Sequence, residues 1–290
     1  MKVGMFYFTG SGNTELVAKE WKKSLENQSI EVELFAIEDV DFKAIDFDKY
    51  DILGFGYPIH AFNAPKIMVD FAKQLPLLSF KKRAFIFMIS GENLMANNSS
   101  SCKLKRYLKR KNIFVESEYH YIMPYNMIFR HTELMAYKMF DAMTKLVPLD
   151  AKEYLDGKNS ILKRVPLVGF FIWLLRIEQL FAPVNGKHFK IDSSKCIKCM
   201  KCVNNCPTKN IEFVNGKFKF LNKCTACTRC SFNCPTDAFK IGLLNGWRVN
   251  KKYNFKKPDF EEVDKHSRYC KRSYAKYFKI CEERIQNSQK

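Results

Sequence analysis

Short apolar runs alternate with stretches of helical periodicity through the first half of the chain. Five runs read as strands: Lys2 to Phe8, Ile30 to Ala36, Asp51 to Gly56, Ala84 to Ser90 and Phe114 to Tyr121. Amphipathic helical patterns lie between and after them, starting at Asn13 (NTELVAKEWKKSL), Ala64 (APKIMVDFAKQL), Ser99 (SSSCKLKRYLKRK) and His131 (HTELMAYKMFDAM). Helical crossovers return the chain to the same edge, so the strands they join run parallel. The expected fold class is α/β, a doubly wound five-stranded parallel sheet in the order 2-1-3-4-5. Its ligand crevice opens at the carboxyl ends of strands 1 and 3.

The rhythm breaks after residue 147. Residues 1–147 are expected to form the first domain and residues 148–185 a helical connector, Pro-bounded and aromatic-rich. Residues 186–250 change composition sharply and form two similar halves. Each half has a Cys-rich run, an apolar strand and an Asn-Gly turn signal, at Asn215-Gly216 and Asn245-Gly246. This region is expected to be a small α+β domain. Residues 251–290 read as a basic, aromatic extension, with one helix starting at Pro258.

The first strand starts at Lys2, which leaves no stretch for a secretory leader, so a cytoplasmic location is expected. Eleven cysteines in that compartment point to metal ligation and away from disulfides. Eight of them follow the spacing C-x2-C-x2-C-x3-C-P twice: Cys196, Cys199, Cys202 and Cys206 before Pro207, then Cys224, Cys227, Cys230 and Cys234 before Pro235. The tight x2 spacings let three thiolates cap one iron–sulfur cube, while the fourth reaches the other cube. The expected ligand sets are Cys196, Cys199, Cys202 and Cys234 for cluster 1, and Cys224, Cys227, Cys230 and Cys206 for cluster 2. A pair of zinc sites is the weaker reading, because structural zinc leaves a longer gap between its two ligand pairs. The region resembles the bacterial two-cluster 4Fe-4S ferredoxins. Cys102, Cys270 and Cys281 fall outside the pattern and read as buried or incidental thiols.

The loop after the first strand reads TGSGNT, Thr9 to Thr14, and runs into a helix. Unpaired N–H groups at that helix start, the hydroxyls of Thr9, Ser11 and Thr14, and the flexible Gly10 and Gly12 together make an anion site. It contains no Lys or Arg, which suits a phosphate monoester such as that of FMN. A P-loop would need Lys where Asn13 stands, and a dinucleotide fingerprint would need a small residue at Glu15. The TGSGNT motif resembles the phosphate loop of the flavodoxins, over residues 1–145. That resemblance implies FMN bound by Thr9, Gly10, Ser11, Gly12, Asn13 and Thr14. It places the loop Tyr57, Pro58, Ile59, His60, Ala61, Phe62, Asn63 on one side of the isoalloxazine, and Ser90, Gly91, Glu92 and Asn93 on another. The MPYNM segment, Met123 to Met127, is expected to approach it as well. SGENLMANN (90–98) has no aromatic residue, unlike the corresponding flavodoxin loop.

Together the two halves resemble the flavodoxin-ferredoxin fusion proteins of anaerobic bacteria and archaea. The implied cofactors are FMN and two 4Fe-4S clusters. Flavins pass electrons singly or in pairs and clusters pass them singly. The leading expectation is therefore an electron-transfer flavo-iron–sulfur protein working between low-potential carriers, the clusters and FMN. Two alternatives stand beside it. One is an FMN-dependent reductase of a quinone, nitro compound or enone, with His60 or Glu92 as proton donor; the other is a redox sensor.

The formal charge is +19, or roughly +13 once two clusters and a flavin phosphate are counted. Such a chain suits an acidic redox partner such as a ferredoxin. Lys103, Lys105, Arg106, Lys109, Arg110 and Lys111 crowd one helix as a candidate steering patch, and no nucleic-acid recognition motif accompanies them. The run VPLVGFFIWLL (165–175) is shorter than the ~20 residues of a membrane span. Burial between domains is preferred for it over a membrane surface. A homodimer that pairs the crevice of one subunit with the cysteines of another is a further arrangement left open by the sequence.

Overall fold

The computed structural model describes residues 1–164, 177–259 and 271–288. The apolar run 165–175 and most of the segment between Pro258 and Lys271 lie outside them.

The first unit comprises β1 (Lys2–Tyr7), α1 (Asn13–Glu26), β2 (Glu31–Ala36), β3 (Ile52–Pro58), α2 (Lys66–Gln74), β4 (Lys82–Ser90), α3 (Cys102–Lys109), β5 (Ile113–Ile122) and α4 (Glu133–Leu155). Its five strands are parallel in the order β2-β1-β3-β4-β5, the fold class expected from the hydrophobic pattern. The period of two along each strand divides the apolar side chains between two cores. Val3, Met5, Phe85 and Phe87 face α1 and α4, with Trp21 stacked on Phe85 at 4.5 Å between centroids. Phe6, Phe55, Ile86 and Met88 face α2 and α3. All of these side chains are buried, so the central strands read as continuous apolar runs.

Two boundaries differ from the expectation. The helix expected to close near Met143 continues to Leu155 through Pro148, so a domain boundary at 147 falls inside it. Val147, Ala151 and Tyr154 are buried in the sheet core, and that burial offsets the backbone hydrogen bond lost at the proline. The C-terminal helix α8 (Lys271–Ser288) is no free extension. Tyr274, Tyr277 and Cys281 enter the same core, and Arg284 pairs with Asp150 at 2.7 Å and Glu153 at 2.8 Å on α4.

The second unit contains α5 (Ile177–Lys187), β6 (Lys190–Ile191), α6 (Lys201–Asn204), β7 (Ile211–Val214), β8 (Lys217–Phe220), α7 (Arg229–Phe232) and β9 (Phe239–Lys240). Asn215-Gly216 turns the β7–β8 hairpin with φ of 50° and 76°, as an Asn-Gly pair favours. The second Asn-Gly makes no hairpin. Residues 245 and 246 lie in a 3-10 helix over Gly242–Trp247, and β9 pairs back to β6. A shared cluster of Ala136, Phe232, Val249 and Tyr253, together with a backbone bridge from Met127 to Arg248, joins the two units. Among the described residues no helix is long and apolar enough to cross a membrane.

Candidate functional site

A cleft of about 630 Å³ opens at the carboxyl ends of the strands. Five of its wall residues are Thr9, Gly10, Ser11, Asn13 and Thr14, from the loop between β1 and α1. Gly12 does not line the cleft. It sits at the helix N-cap with φ of 100°, a conformation other residues rarely adopt, and its N–H donates to Thr9 Oγ1 at 2.9 Å. Asn13 Nδ2 donates to the Pro124 carbonyl at 2.8 Å, tying this loop to the one after β5. The Thr14 hydroxyl is buried with no hydrogen-bond partner among the described residues. A buried unpartnered hydroxyl beside unpaired helix N–H groups is the donor set an anion would satisfy, so the residues fit a phosphate group.

The loop after β3 makes a tight turn, in which His60 and Asn63 exchange backbone hydrogen bonds at 2.9 and 2.8 Å. Pro58, Ile59, His60, Ala61 and Phe62 line the cleft, as do Ser90, Gly91, Glu92, Leu94 and Asn97 after β4. Three expected residues of these two loops do not. Tyr57 is fully buried in the core, its hydroxyl 3.2 Å from Ser100 Oγ, because its strand position faces α2. Asn63 spends its side chain on the Ala61 carbonyl within the turn. The Asn93 carbonyl accepts from Ser273 on α8. Met123 to Ile128 complete this side, as anticipated for the first five of these residues. Aromatic surface comes from Phe62, Tyr125 and Trp247, of which the last belongs to the other unit and has no signal in the sequence.

The α8 helix also braces the cleft. The Tyr125 N–H donates to His131 Nδ1 at 3.2 Å, His131 Nε2 meets the Tyr274 hydroxyl at 3.0 Å, and that hydroxyl donates to the Gly91 carbonyl at 2.9 Å. The directions require a neutral His131 with its proton on Nε2.

Desolvation lowers His60 and His120 from 6.5 to about 4, so both are neutral near pH 7. His120 hydrogen-bonds Ser90 Oγ at 2.7 Å. Unfolded histidines protonate near pH 6.5. The unfolded chain therefore takes up protons first, and stability is expected to fall as pH drops from about 6.5 toward 4. Urea midpoints measured across that window test this; a double variant His60→Asn, His120→Asn should flatten the fall, and an unchanged slope would contradict it.

The cysteines surround two separate cavities. Cys206, Cys224, Cys227 and Cys230 line one, and Cys196, Cys199, Cys202 and Cys234 line the other, with Cys230 also on its wall. The two halves match in backbone conformation. Lys198, Met200 and Lys209 in the first run have positive φ, as do Ala226, Thr228 and Asp237 at the same places in the second. Backbone N–H groups of Asn210 and Ala226 approach Cys206 Sγ at 3.2 Å and Cys224 Sγ at 3.4 Å. Burial pushes Cys202 up to about 11 and Cys224 up to about 12, so ligation must supply the positive charge that makes them thiolates. The donors spread around a space: among the described residues no three His, Cys, Asp or Glu side chains could hold one metal ion. Two sets of four thiols around two cavities fit two iron–sulfur cubes.

The sequence left open how the two sites relate, and here they touch. Ala226, between two cysteines of the second run, lines the cleft together with Leu244 and Trp247. Arg229, between Cys227 and Cys230, donates from Nη2 to the Thr9 carbonyl at 2.6 Å and pairs with Glu38. A Cβ placed on Gly10 would lie 2.3 Å from the Cys227 carbonyl oxygen, so only glycine admits this approach.

Residues 188–211 match the family model described as 4Fe-4S binding domain, a span that holds the first four-cysteine run. A flavodoxin-like fold is thus joined to a 4Fe-4S binding domain. A search of curated proteins finds no match to the sequence. Solved structures similar to the chain include a flavodoxin of Streptococcus pneumonia TIGR4, 16% identical over 54% of this chain and 99% of that one, with a TM-score of 0.40. Flavodoxin 2 from Bacillus cereus is 17% identical over 53% and 99%, with a TM-score of 0.39. An azoreductase from Bacillus anthracis str. Sterne is 11% identical over 53% and 100%, with a TM-score of 0.36. In the flavodoxin-like domain the cleft-lining residues gather on the strands' carboxyl edge, and the 4Fe-4S domain leans on that same edge.

Proposed function

We propose that the chain is an electron-transfer flavo-iron–sulfur protein, holding FMN in the cleft and a 4Fe-4S cluster on each set of four cysteines. The observation that carries this reading is the shared wall: Ala226 lines the cleft while Cys227 packs on Gly10 of the phosphate-type loop. Bound there, FMN would exchange electrons singly or in pairs and the clusters would exchange them singly. The protein's part is to hold the two sites together. Arg229 and Glu38 latch the second cysteine loop to Thr9, and the shared apolar cluster around Phe232 keeps the units in register. Thr9 to Thr14 would hold the phosphate, and the loops at 58–62, 90–97 and 123–128 would enclose the ring.

Anaerobic purification followed by iron, sulfide and flavin analysis tests the reading: about eight irons, eight sulfides and one FMN per chain are expected. Zinc in place of iron, or a chain that retains no flavin, would overturn it. Thr14→Val keeps the side-chain shape and removes the orphan hydroxyl. FMN affinity, read by flavin fluorescence titration, is expected to weaken about five- to tenfold, and an unchanged affinity would remove Thr14 from the phosphate site.

A second reading, reduction of a small apolar acceptor, is favoured by the cleft's mouth. Ile128 and Trp247 are 55% and 58% exposed there. Ile128 holds φ of 83°, secured by its N–H bond to the Trp247 carbonyl at 2.7 Å. Such backbone strain in a β-branched residue costs about 1–3 kcal/mol and collects at functional sites. Multiple turnover of a quinone with a reduced carrier would select this reading over simple electron relay or redox sensing.

A further inference from the structure

We propose that the face around Lys195, Ile197, Lys198 and Lys201 is the docking surface for a small acidic redox protein, so that electrons cross the protein boundary at the Cys196, Cys199, Cys202 and Cys234 centre. This rests on the cofactor reading above and assigns its two cysteine sets different tasks.

The two sets have the same local chemistry and opposite surroundings. In the second, Cys206 and Cys227 are buried, and Cys227 belongs to the core of the flavodoxin-like domain. In the first, Cys199 is exposed, and its neighbour Ile197 is 64% exposed. Lys195, Lys198 and Lys201 stand exposed beside that isoleucine and form no salt bridge with the described residues. An exposed apolar side chain flanked by exposed cations, of which Lys195 also acts on Asp192, is the layout of a transient interface: the apolar contact excludes water and the charges select and steer the partner. Residues 186–250 carry ten lysines and two arginines against three acidic residues, Asp192, Glu212 and Asp237. The complementary partner is therefore acidic.

The competing surfaces fit less well. The cleft has Ala226, Leu244 and Trp247 on its wall, so the chain's own second domain already stands where a protein would have to approach. The basic helix α3 carries more charge, yet its cationic end lies at the wrong edge. The Lys111 and Asn112 carbonyls accept from Leu78 and from Lys82, where β4 begins. A parallel strand of that length puts this edge about 20–30 Å from the carboxyl edge. Its Lys105 is also engaged by the buried Glu118 at 3.4 Å. Charge at that distance adds to the general field without fixing a docked pose. Each encounter at the Cys199 face oxidises the carrier by one electron and reduces the centre by one, with no bond made and no proton moved.

The test uses the full-length holoprotein and a small acidic two-cluster 4Fe-4S ferredoxin as probe. Affinity is measured with both proteins oxidised, by calorimetry at low and high salt, and reduction of the holoprotein is followed separately by stopped flow. The triple reversal Lys195→Glu, Lys198→Glu, Lys201→Glu is expected to weaken low-salt binding at least about tenfold and to reduce its salt dependence. Ile197→Asp is expected to weaken binding with the salt dependence retained. The reversal Arg106→Glu, Lys109→Glu, Arg110→Glu changes net charge equally and should alter affinity less than about threefold. Equal losses from the two triple reversals, or equal binding of poly-glutamate, would overturn the docking surface. Iron and flavin content separates this failure from that of the underlying reading: a wild-type chain lacking either refutes the cofactors, while a fully loaded variant that still binds refutes only the surface.

Discussion

Replacing Gly10 with alanine is expected to pull the two redox sites apart. The new Cβ would sit 2.3 Å from the Cys227 carbonyl oxygen and 3.2 Å from Asn126 Nδ2. The nearer obstacle is backbone inside a cysteine loop, which cannot rotate away as a side-chain end could. Either the phosphate-type loop or the cysteine loop must shift, and overpacking of this kind destabilises by about 1–3 kcal/mol. Arg229 resists the shift through its bonds to Thr9 and Glu38, so the strain falls on the contact itself. Flavin reduction by an external one-electron donor is expected to slow at least about tenfold. Iron content should stay whole, because none of the cysteines changes. Stopped-flow spectra at the flavin and iron–sulfur bands read the two apart. A Gly10→Ala protein with wild-type flavin reduction would show that the Cys227 approach is not the route.

The second large effect concerns Cys206. By position it ends the first run, yet it lines the cavity of the second with Cys224, Cys227 and Cys230. Cys206→Ala is therefore expected to lose about half the iron and to slow carrier-driven flavin reduction by about a hundredfold or more, while the Cys196 centre still accepts electrons. Cys206→Ser, which keeps a weaker oxygen ligand, should recover part of both. If Cys206 instead served the centre of its own run, the losses would appear at the exposed centre and the flavin-side spectrum would survive. Anaerobic electron paramagnetic resonance of the dithionite-reduced variants distinguishes the two patterns.

Much of the site was legible before any tertiary information, and the limits were physical. The strand pattern placed TGSGNT and the loop at Tyr57 on one edge because side-chain alternation and crossover connections leave few topologies. The same alternation decided against Tyr57 itself, whose position in β3 turns it into the core and leaves Ile59 to Phe62 to face the cleft. Leu94 and Asn97 lie in the same stretch as Ser90 and Glu92, and their inward placement comes from the short helix at Met95–Ser99. Trp247, Leu244 and Ala226 carried no signal, since nothing local marks a residue that will close a cleft in another domain of the chain. The α4 helix outran its expected end because long-range burial of Val147 and Tyr154 overrode the proline.

The sequence by itself determined the anion-type loop and the doubled four-cysteine spacing, because both depend on near neighbours through helix starts and compact turns, and it pointed to the sheet order because crossover connections leave few topologies. It could not say which cysteine set serves the cleft. The two runs share spacing, prolines and left-handed backbone positions, so local chemistry treats them as equals. Only the tertiary contacts break that equivalence. Gly10 against Cys227 and Arg229 on Thr9 seat one set beside the cleft with Cys206 and Cys227 buried, and the other lies among lysines with Cys199 exposed.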